Sequence, residues 1–353
     1  MGANVALERD DHMKCSIQDI ARELSISRNT VSKALNGRPG VSSETRKLIC
    51  EKANEMNYRS FLLEHEETQQ AASRDSILFL TKASVHSEFW LSVMKGLEPV
   101  LEAGGYKLLL GVMSDEDMSS LQFPAQLKDP GVRGVILVEI CNIQVVRKVL
   151  EFGLPAVTVD APRGYEELAG AMDIVTMENK LNIRALAVKL IERGARRFAF
   201  AGDLKGDNVG AGFQERFDAL DETLRENGLK LDMECSFVGE TNQQFMNFSY
   251  LVSRLEEMPS LPEVYFCGND WTAIQLMHAI RYCGYSIPDD VAVIGFDNIS
   301  ESVNTIPALT TIDTPKEYLG AAAANCLVER IANPAKPYIF IRYTTKLLSR
   351  GSA

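Results

Sequence analysis

From residue 76 onward the sequence alternates between two kinds of segment, and that alternation restricts the fold more than any other feature. Short runs rich in β-branched and aromatic residues stand at 77–81, 106–112, 134–139, 156–160, 174–177, 198–202, 235–239, 264–268 and 291–297. Between them lie segments with helical apolar spacing near 89–103, 116–128, 142–152, 179–193, 213–227, 245–257 and 270–283. Strands that are apolar on both faces and separated by helices form a parallel sheet covered on both sides. There are too many strands for one compact half, so two doubly wound α/β lobes are expected. A last helix at about 315–332 precedes "YIFIRYTTKLLSRGS", which reads as late edge strands.

The first 59 residues follow a different pattern. Ile17, Ile20, Ala21 and Leu24 fall at i, i+3, i+4 and i+7, which predicts one short helix. Ser27 is a good N-cap for a second helix reaching about Leu35, which "NGRPG" at 36–40 stops. Ser42 caps a third, running to about Met56 with Leu48, Ile49, Ala53 and Met56 facing inward. Two short helices joined by a tight turn, closed by a third, make an all-α helix-turn-helix unit. In such a unit the start of the second helix enters the DNA major groove. Arg28, Asn29 and Lys33 are the candidate base readers, since Arg pairs with guanine and Asn with adenine by two hydrogen bonds. Ser16, Ser27, Thr30, Ser32 and Ser42 are candidate phosphate donors, and Asn36 at the helix end joins the DNA-contacting set.

Charge separates the same two regions. The chain has 353 residues and a formal net charge of -11, yet residues 14–59 carry nine Lys/Arg against five Asp/Glu. A basic head on an acidic body fits a polyanion-binding module attached to a separate domain. The apolar runs are far too short for a membrane span, and the N-terminus lacks the apolar stretch of a signal peptide, so a cytoplasmic protein is expected. The seven cysteines are odd in number and none are in C-x-x-C spacing, which argues against disulfides and zinc. No metal and no cofactor are expected. The chain has no G-x-S-x-G, no phosphate loop and no H-E-x-x-H, and its four histidines are scattered, so no enzyme is expected.

The stretch "SIQDIARELSISRNTVSKALNGRPGVSSETRKLICEKANEMNY" resembles the DNA-binding domain of the lactose-repressor (LacI/GalR) family. The resemblance places that family's base-contacting positions on Arg28, Asn29 and Lys33. Members of that family commonly begin only a few residues before this pattern, which leaves two starts open: Met1, or Met13 with residues 1–12 an extension. The linker departs from the pattern. Aligned from Asn57-Tyr58, the family's proline and asparagine fall on Ser60 and Phe61, and its small residue, Arg and groove-wedging Leu fall on Glu64, His65 and Glu67. A glutamate facing the minor groove is repelled by phosphates on both sides, so no leucine-type wedge is expected.

The body also resembles the family's effector-binding core, which shares the fold of periplasmic sugar-binding proteins. "GVILVE", "LPAVTVD", "ERGARRFAFAG", "CGNDWTAIQLMHAIRYCGYSIPDDVAVIGFDN" and "PALTTIDTPKEYLGAAAANCLVERI" carry it. The implied organisation is a head at 13–59, an acidic linker at 60–75 and a core at 76–353. Lobe 1 would span about 76–173 and 304–333, and lobe 2 about 174–303 and 334–350, with crossings near Asp173, Asn304 and Asn333. Ligands in such sheets sit beyond the carboxyl ends of the strands. Asp160, Asn269 and Asp297 stand there, and the family's sugar-contacting positions include these three. Each also suits a helix cap, as does Asp270. Phe213 falls where sugar-binding members often carry an Arg, and Arg216 where they carry a glycine, unless the alignment slips by three residues. Phe89 and Trp90 complete the candidate effector set, as a stacking platform or as core.

The expected protein is therefore a DNA-binding transcriptional regulator, a repressor, controlled by a small sugar-like effector held between two lobes. No heptad-rich tail follows the body, so a homodimer on a near-palindromic operator is expected. The apparent loss of the Arg leaves open a regulator with a lost or non-sugar effector site, constitutive or controlled by a protein partner.

Overall fold

The computed structural model describes residues 16–35, 40–56, 75–83, 88–206, 208–245 and 247–353, with backbone only for Ser43, Cys50, Asn54, Asn242 and Gln243. The chain divides into two compact units, 1–74 and 75–353. The expectations for Asn36 and for the linker up to Arg74 lie outside the described residues.

The head contains α1 (Ile17–Glu23), α2 (Arg28–Leu35) and α3 (Ser43–Glu55). At the first helix start, the Ser16 backbone N–H and Oγ both donate to Asp19 Oδ2, at 2.9 and 2.6 Å. Ser27 Oγ accepts from the Thr30 N–H at 3.0 Å, and Ser42 Oγ from the Thr45 N–H at 3.1 Å, so both act as N-caps. Ile20, Val31, Ala34, Ile49 and Ala53 form the core, with Met56 packed against it. Leu48 was expected inside but is 54% exposed. Its neighbour Ile49 takes the inward position, and adjacent residues on a helix point about a quarter-turn or more apart.

The body holds two sheets. The first contains β1 (Ser76–Lys82), β2 (Lys107–Met113), β3 (Val132–Val138), β4 (Ala156–Val159), β5 (Asp173–Met177) and β10 (Phe340–Tyr343), in the order β10-β5-β4-β3-β1-β2. All its pairings are parallel. The second contains β6 (Phe198–Ala201), β7 (Val264–Cys267), β8 (Ala292–Asp297), β9 (Thr310–Asp313) and β11 (Lys346–Leu348), in the order β11-β9-β8-β7-β6. Only β11 is antiparallel to its neighbour. The helices that follow the strands are α4 (Glu88–Ala103), α5 (Asp115–Ser120), α6 (Ile143–Leu150), α7 (Leu181–Glu192), α8 (Ala211–Glu226), α9 (Asn242–Phe245), α10 (Phe248–Glu256), α11 (Asp270–Tyr282) and α12 (Lys316–Ala332).

Two expectations about strands are corrected. Residues 235–239 are not a strand: Phe237 bridges β6 only at Ala201. The Phe200 N–H is taken by Ser236 Oγ, so a side chain replaces a ladder partner. Conversely, β9 lies inside "ALTTIDT", a Thr-rich run without the long apolar signature of its neighbours.

The lobe crossings lie later than the resemblance implied. The run β1 to β5 stays in lobe 1, so the first crossing follows Met177 and not Asp173. Asp173 instead begins β5, where Arg330 of α12 pairs with both its oxygens, at 2.9 and 3.1 Å, and the Ile339 N–H donates at 2.8 Å. The β9 strand belongs to lobe 2 and α12 packs on lobe 1, which puts the second crossing at 314–315 instead of Asn304. The third lies between β10 and β11, at 344–345, and not at Asn333. Each lobe thus borrows one late strand from the C-terminal segment. On lobe 1, α12 packs against α4 at two glycines: a Cβ on Gly96 would strike the backbone of Glu317, and one on Gly320 the backbone of Val93.

Candidate functional site: a helix start and a two-lobed cleft

In the head, Arg28 and Asn29 occupy the first turn of α2 and are exposed, as are Ser27 and Ser42. Thr30, Ser32 and Lys33 are half-exposed on the same short helix, and Ser16 at the start of α1 is half-buried. The first turn of α2 holds no acidic residue, so the positive end of its dipole is uncompensated. Among the described residues the Arg28 and Asn29 side chains make no hydrogen bond, which leaves both free to reach base edges. Arg46 is a contributor that the sequence reading did not single out. Its Nη1 donates to the Ala34 carbonyl at 2.6 Å, which satisfies the carboxyl end of α2 and ties it to α3.

In the body, strand order dictates where a ligand fits. The order β2-β1-β3-β4-β5 reverses direction between β1 and β3, and the crevice opens at their carboxyl ends. Thr81 is the last residue but one of β1, and Glu139 follows β3. Asp160 follows β4, while Asp297 closes β8 in the opposite lobe. Glu139, Asp160, Asp297 and Asn298 all have positive φ, at 56°, 67°, 106° and 53°. Non-glycine residues avoid this region, and such strain collects where side chains must be aimed at a ligand.

The two lobes touch around this crevice. The Ala211 N–H donates to the Ala161 carbonyl at 2.8 Å, beside a bridge between Pro162 and Gly210. A Cβ on Gly210 would collide with Asp160 Oδ2 and crowd the Cys141 sulfur. Only glycine lets lobe 2 approach this closely. On one rim the Ser300 N–H and Oγ donate to Glu88, at 2.8 and 2.9 Å. Elsewhere Asn142 donates to Asn208 at 3.3 Å, and Asn208 to Asp115 at 2.9 Å, beside a cavity of about 350 Å³. Arg342 on β10 pairs with Glu215 on α8, at 3.0 Å. The cleft is closed.

Arg216 lies at its centre, 3% exposed. Its Nε donates to Asn179 Oδ1 at 3.1 Å and its Nη1 to the Gly268 carbonyl at 2.5 Å. The guanidinium stacks 3.5 Å above the Phe296 ring centroid. An Arg falls here only in the alternative register, slipped by three residues; Arg216 stands one helical turn after Phe213 on the same face of α8. Phe213 fills another role. Its ring covers Gly202 and Gly268, where any Cβ would run into it, and forms an apolar wall 5.5 Å from Arg216.

The remaining candidates divide. Asp160 accepts from the Ala161 N–H at 2.9 Å, and burial raises its pKa against the opposing pull of Arg216. Burial pushes Asp297 up to about 6, opposed by Arg216 and Lys316, and Glu139 up to about 7, opposed by Lys82. Asn269 caps α11 by accepting from the Thr272 N–H at 2.9 Å, so only its amide N–H groups remain for a ligand. Asp270 faces away from any ligand. It accepts from Thr311 Oγ1 at 2.5 Å and the Ile299 N–H at 2.9 Å, bracing the loop that carries Asp297. Phe89 and Trp90, on the first turn of α4, pack against the lobe 1 core, with Trp90 tilted on Phe79 at 6.0 Å. Among the described residues, Thr81 Oγ1, Trp90 Nε1, Glu139 Oε2 and Arg163 Nε and Nη2 are buried without a hydrogen-bond partner. Glu139 could have been found by the strand-end rule that found Asp160 and Asp297, since it is the last residue of "GVILVE".

Comparison with known proteins agrees with both units. Residues 16–60 match the model for bacterial regulatory proteins of the lacI family, and residues 187–353 the periplasmic binding protein-like domain. The HTH-type transcriptional regulator RegA of Clostridium saccharobutylicum is 26% identical over 322 residues, covering 90% of this chain and 92% of RegA. Two solved structures share the fold. A transcriptional regulator CelR–cellobiose complex has a TM-score of 0.67 at 23% identity, covering 96% of this chain and 100% of CelR. A lac repressor dimer bound to operator and the anti-inducer ONPF has a TM-score of 0.67 at 19% identity, covering 96% of this chain and 98% of the repressor. No described helix is long and apolar enough to cross a membrane. With a capped basic reading helix in the head and a polar two-lobed cleft in the body, the chain belongs to the lacI family of helix-turn-helix transcriptional regulators, with a periplasmic-binding-protein-like effector domain.

Proposed function

We propose that the protein is a cytoplasmic repressor that binds a near-palindromic operator as a homodimer and is switched by a small, sugar-like effector between its lobes. The observation that carries the ligand half is the pair of buried, unpartnered polar atoms at the strand ends, Thr81 Oγ1 and Glu139 Oε2. A buried polar group without a partner is costly, so a cleft that keeps two at its strand ends fits a molecule that satisfies them. Arg28 and Asn29 read bases from the major groove, and Lys33 with the Ser and Thr hydroxyls of the head grips phosphates. Cellobiose in the CelR complex supports a sugar-like ligand, and the lac repressor dimer on its operator supports paired heads. Effector binding alters the balance of lobe arrangements, and operator affinity changes with it.

Selection of bound duplexes from a random DNA pool tests this at near-physiological salt. An inverted repeat whose half-sites change with Arg28→Ala or Asn29→Ala is the expected result. Recovery of no motif, with and without candidate sugars, counts against it.

A further inference from the structure

We infer that Arg342 is a positioning residue for the effector site: through Glu215 and Asn179 it fixes Arg216 near Asp160 and Asp297, and it does so only when the lobes are closed. The inference rests on the proposed reading of the cleft as the effector site. Arg342 stands on β10 in lobe 1, just before the third crossing. Its Nη2 and Nη1 donate to Glu215 on α8 in lobe 2, at 3.0 and 3.3 Å. Glu215 Oε2 also accepts from Asn179 Nδ2 at 2.8 Å. Asn179 follows the first crossing and is 2% exposed. Its Oδ1 accepts from Arg216 Nε at 3.1 Å, which completes a hydrogen-bonded chain from lobe 1 to the centre of the cleft.

Each link in the chain permits one orientation. Asn179 Nδ2 also donates to the Met177 carbonyl, at 3.2 Å, so both of its partners on that side only accept. Its Oδ1 must therefore face Arg216, which only donates. Arg216 stands where the family resemblance puts a glycine, so this chain's own residues have to place it. Its Nε and Nη1 are used. Among the described residues its Nη2 makes no hydrogen bond, which leaves that atom for a hydroxyl oxygen of the effector. Burial lowers the pKa of Arg216, opposed by Asp297 and Asp160 from the two lobes, so its charge is matched within the cleft and a neutral ligand fits beside it. The same geometry ties the arrangement to closure. Opening the lobes would part Arg342 from Glu215. Glu215 could then turn away, Asn179 could reverse its amide, and Nδ2 would meet Arg216 Nε–H, donor against donor. Arg216 is thus aimed at a ligand only in the closed form, which is the form an effector selects.

The test uses the full-length protein without ligand, carrying nitrogen-labelled arginine. It follows the Arg216 Nε–H resonance by NMR, assigned by its loss in Arg216→Lys. A buried N–H bonded to an amide oxygen exchanges slowly with water. Arg342→Met is expected to speed that exchange about tenfold or more, although it acts only through Glu215 and Asn179. Glu215→Gln, a milder change in the same chain, is expected to act in the same direction. Arg342→Lys, which keeps a charge beside Glu215, is expected to restore most of the protection. Glu88→Ala removes a contact between the lobes outside the chain and serves as the comparison, with a smaller expected change. All variants are checked for a cooperative melt. Unchanged exchange in both Arg342→Met and Glu215→Gln, a loss no larger than that in Glu88→Ala, or no rescue by Arg342→Lys overturns the inference. The resonance is read without ligand, so each of these results leaves the effector reading of the cleft standing.

Discussion

Glu139 leaves β3 with its backbone in the left-handed region and Oε2 buried without a partner. Burial raises its pKa to about 7, so the folded protein holds a proton there more tightly than the unfolded chain does. A raised carboxylate pKa favours the fold below the unfolded value, near 4.5, and that advantage fades as pH rises through 7. Glu139→Gln removes the cost of the buried charge. It is expected to stabilise the ligand-free body on the order of 2 kcal/mol at pH 8 and little at pH 5. Melting curves at the two pH values check this, and an equal effect at both would refute it. Arg330 illustrates the opposite case, a buried charge that is fully paired, with its pKa raised by the hydrogen bonds to Asp173. Arg330→Ala leaves the buried Asp173 carboxylate without its ion pair, with only the Ile339 N–H donating to it, and is expected to destabilise the body by about 3–5 kcal/mol in urea denaturation. The sequence exposed Asp160 and Asp297 because acidic residues after apolar strand runs are visible as text. It left the choice between Phe213 and Arg216 open, because a shift of three residues along a helix keeps the same face, and only packing distinguishes the two positions.

Among the elements, α2 is the most completely specified by its own residues. Ser27 caps it and Val31 and Ala34 anchor it. Arg46 closes its far end from α3, a contact twelve residues away that no local pattern announces. Arg46→Ala frees that carbonyl end and is expected to lower head stability by about 1 kcal/mol and to weaken operator binding without changing the preferred sequence. Arg28→Ala acts on recognition itself, with an expected loss of about 1–3 kcal/mol at one base position and relaxed discrimination there. Competition binding against single-base operator variants separates the two effects. In the body, periodicity exposed the strands that are apolar on both faces and the helices between them. It failed at β9, which is rich in Thr, and at 235–239, where Ser236 takes a ladder position. Both failures follow from hydrogen bonding by hydroxyl side chains, which hydrophobic pattern does not encode.

At the scale of the whole molecule, the body is one continuous chain threaded three times between lobes, and each crossing falls after a strand of one sheet. The resemblance placed these crossings five to eleven residues too early because loops and helix ends carry no marker for the sheet they serve. Lobe closure is held at the rims by a few polar contacts: Ser300 on Glu88, and Asn208 between Asn142 and Asp115. Exposed hydrogen bonds of this kind are worth little singly, about 0.5–1.5 kcal/mol each, so together they bias an equilibrium without locking it. A cleft balanced in this way can be shifted by a small ligand, which is what an effector-controlled regulator requires. The paired substitution Glu88→Ala with Asn208→Ala removes a contact from each rim. If it lowers the closed fraction to about a tenth, apparent effector affinity falls about tenfold, because only closed molecules complete the site. The radius of gyration in small-angle scattering is expected to rise in the ligand-free variant and to return to the wild-type value at saturating effector. An unchanged radius without ligand would mean that the contact at Ala161–Ala211 holds the lobes together alone, and the rim contacts would then have no part in switching.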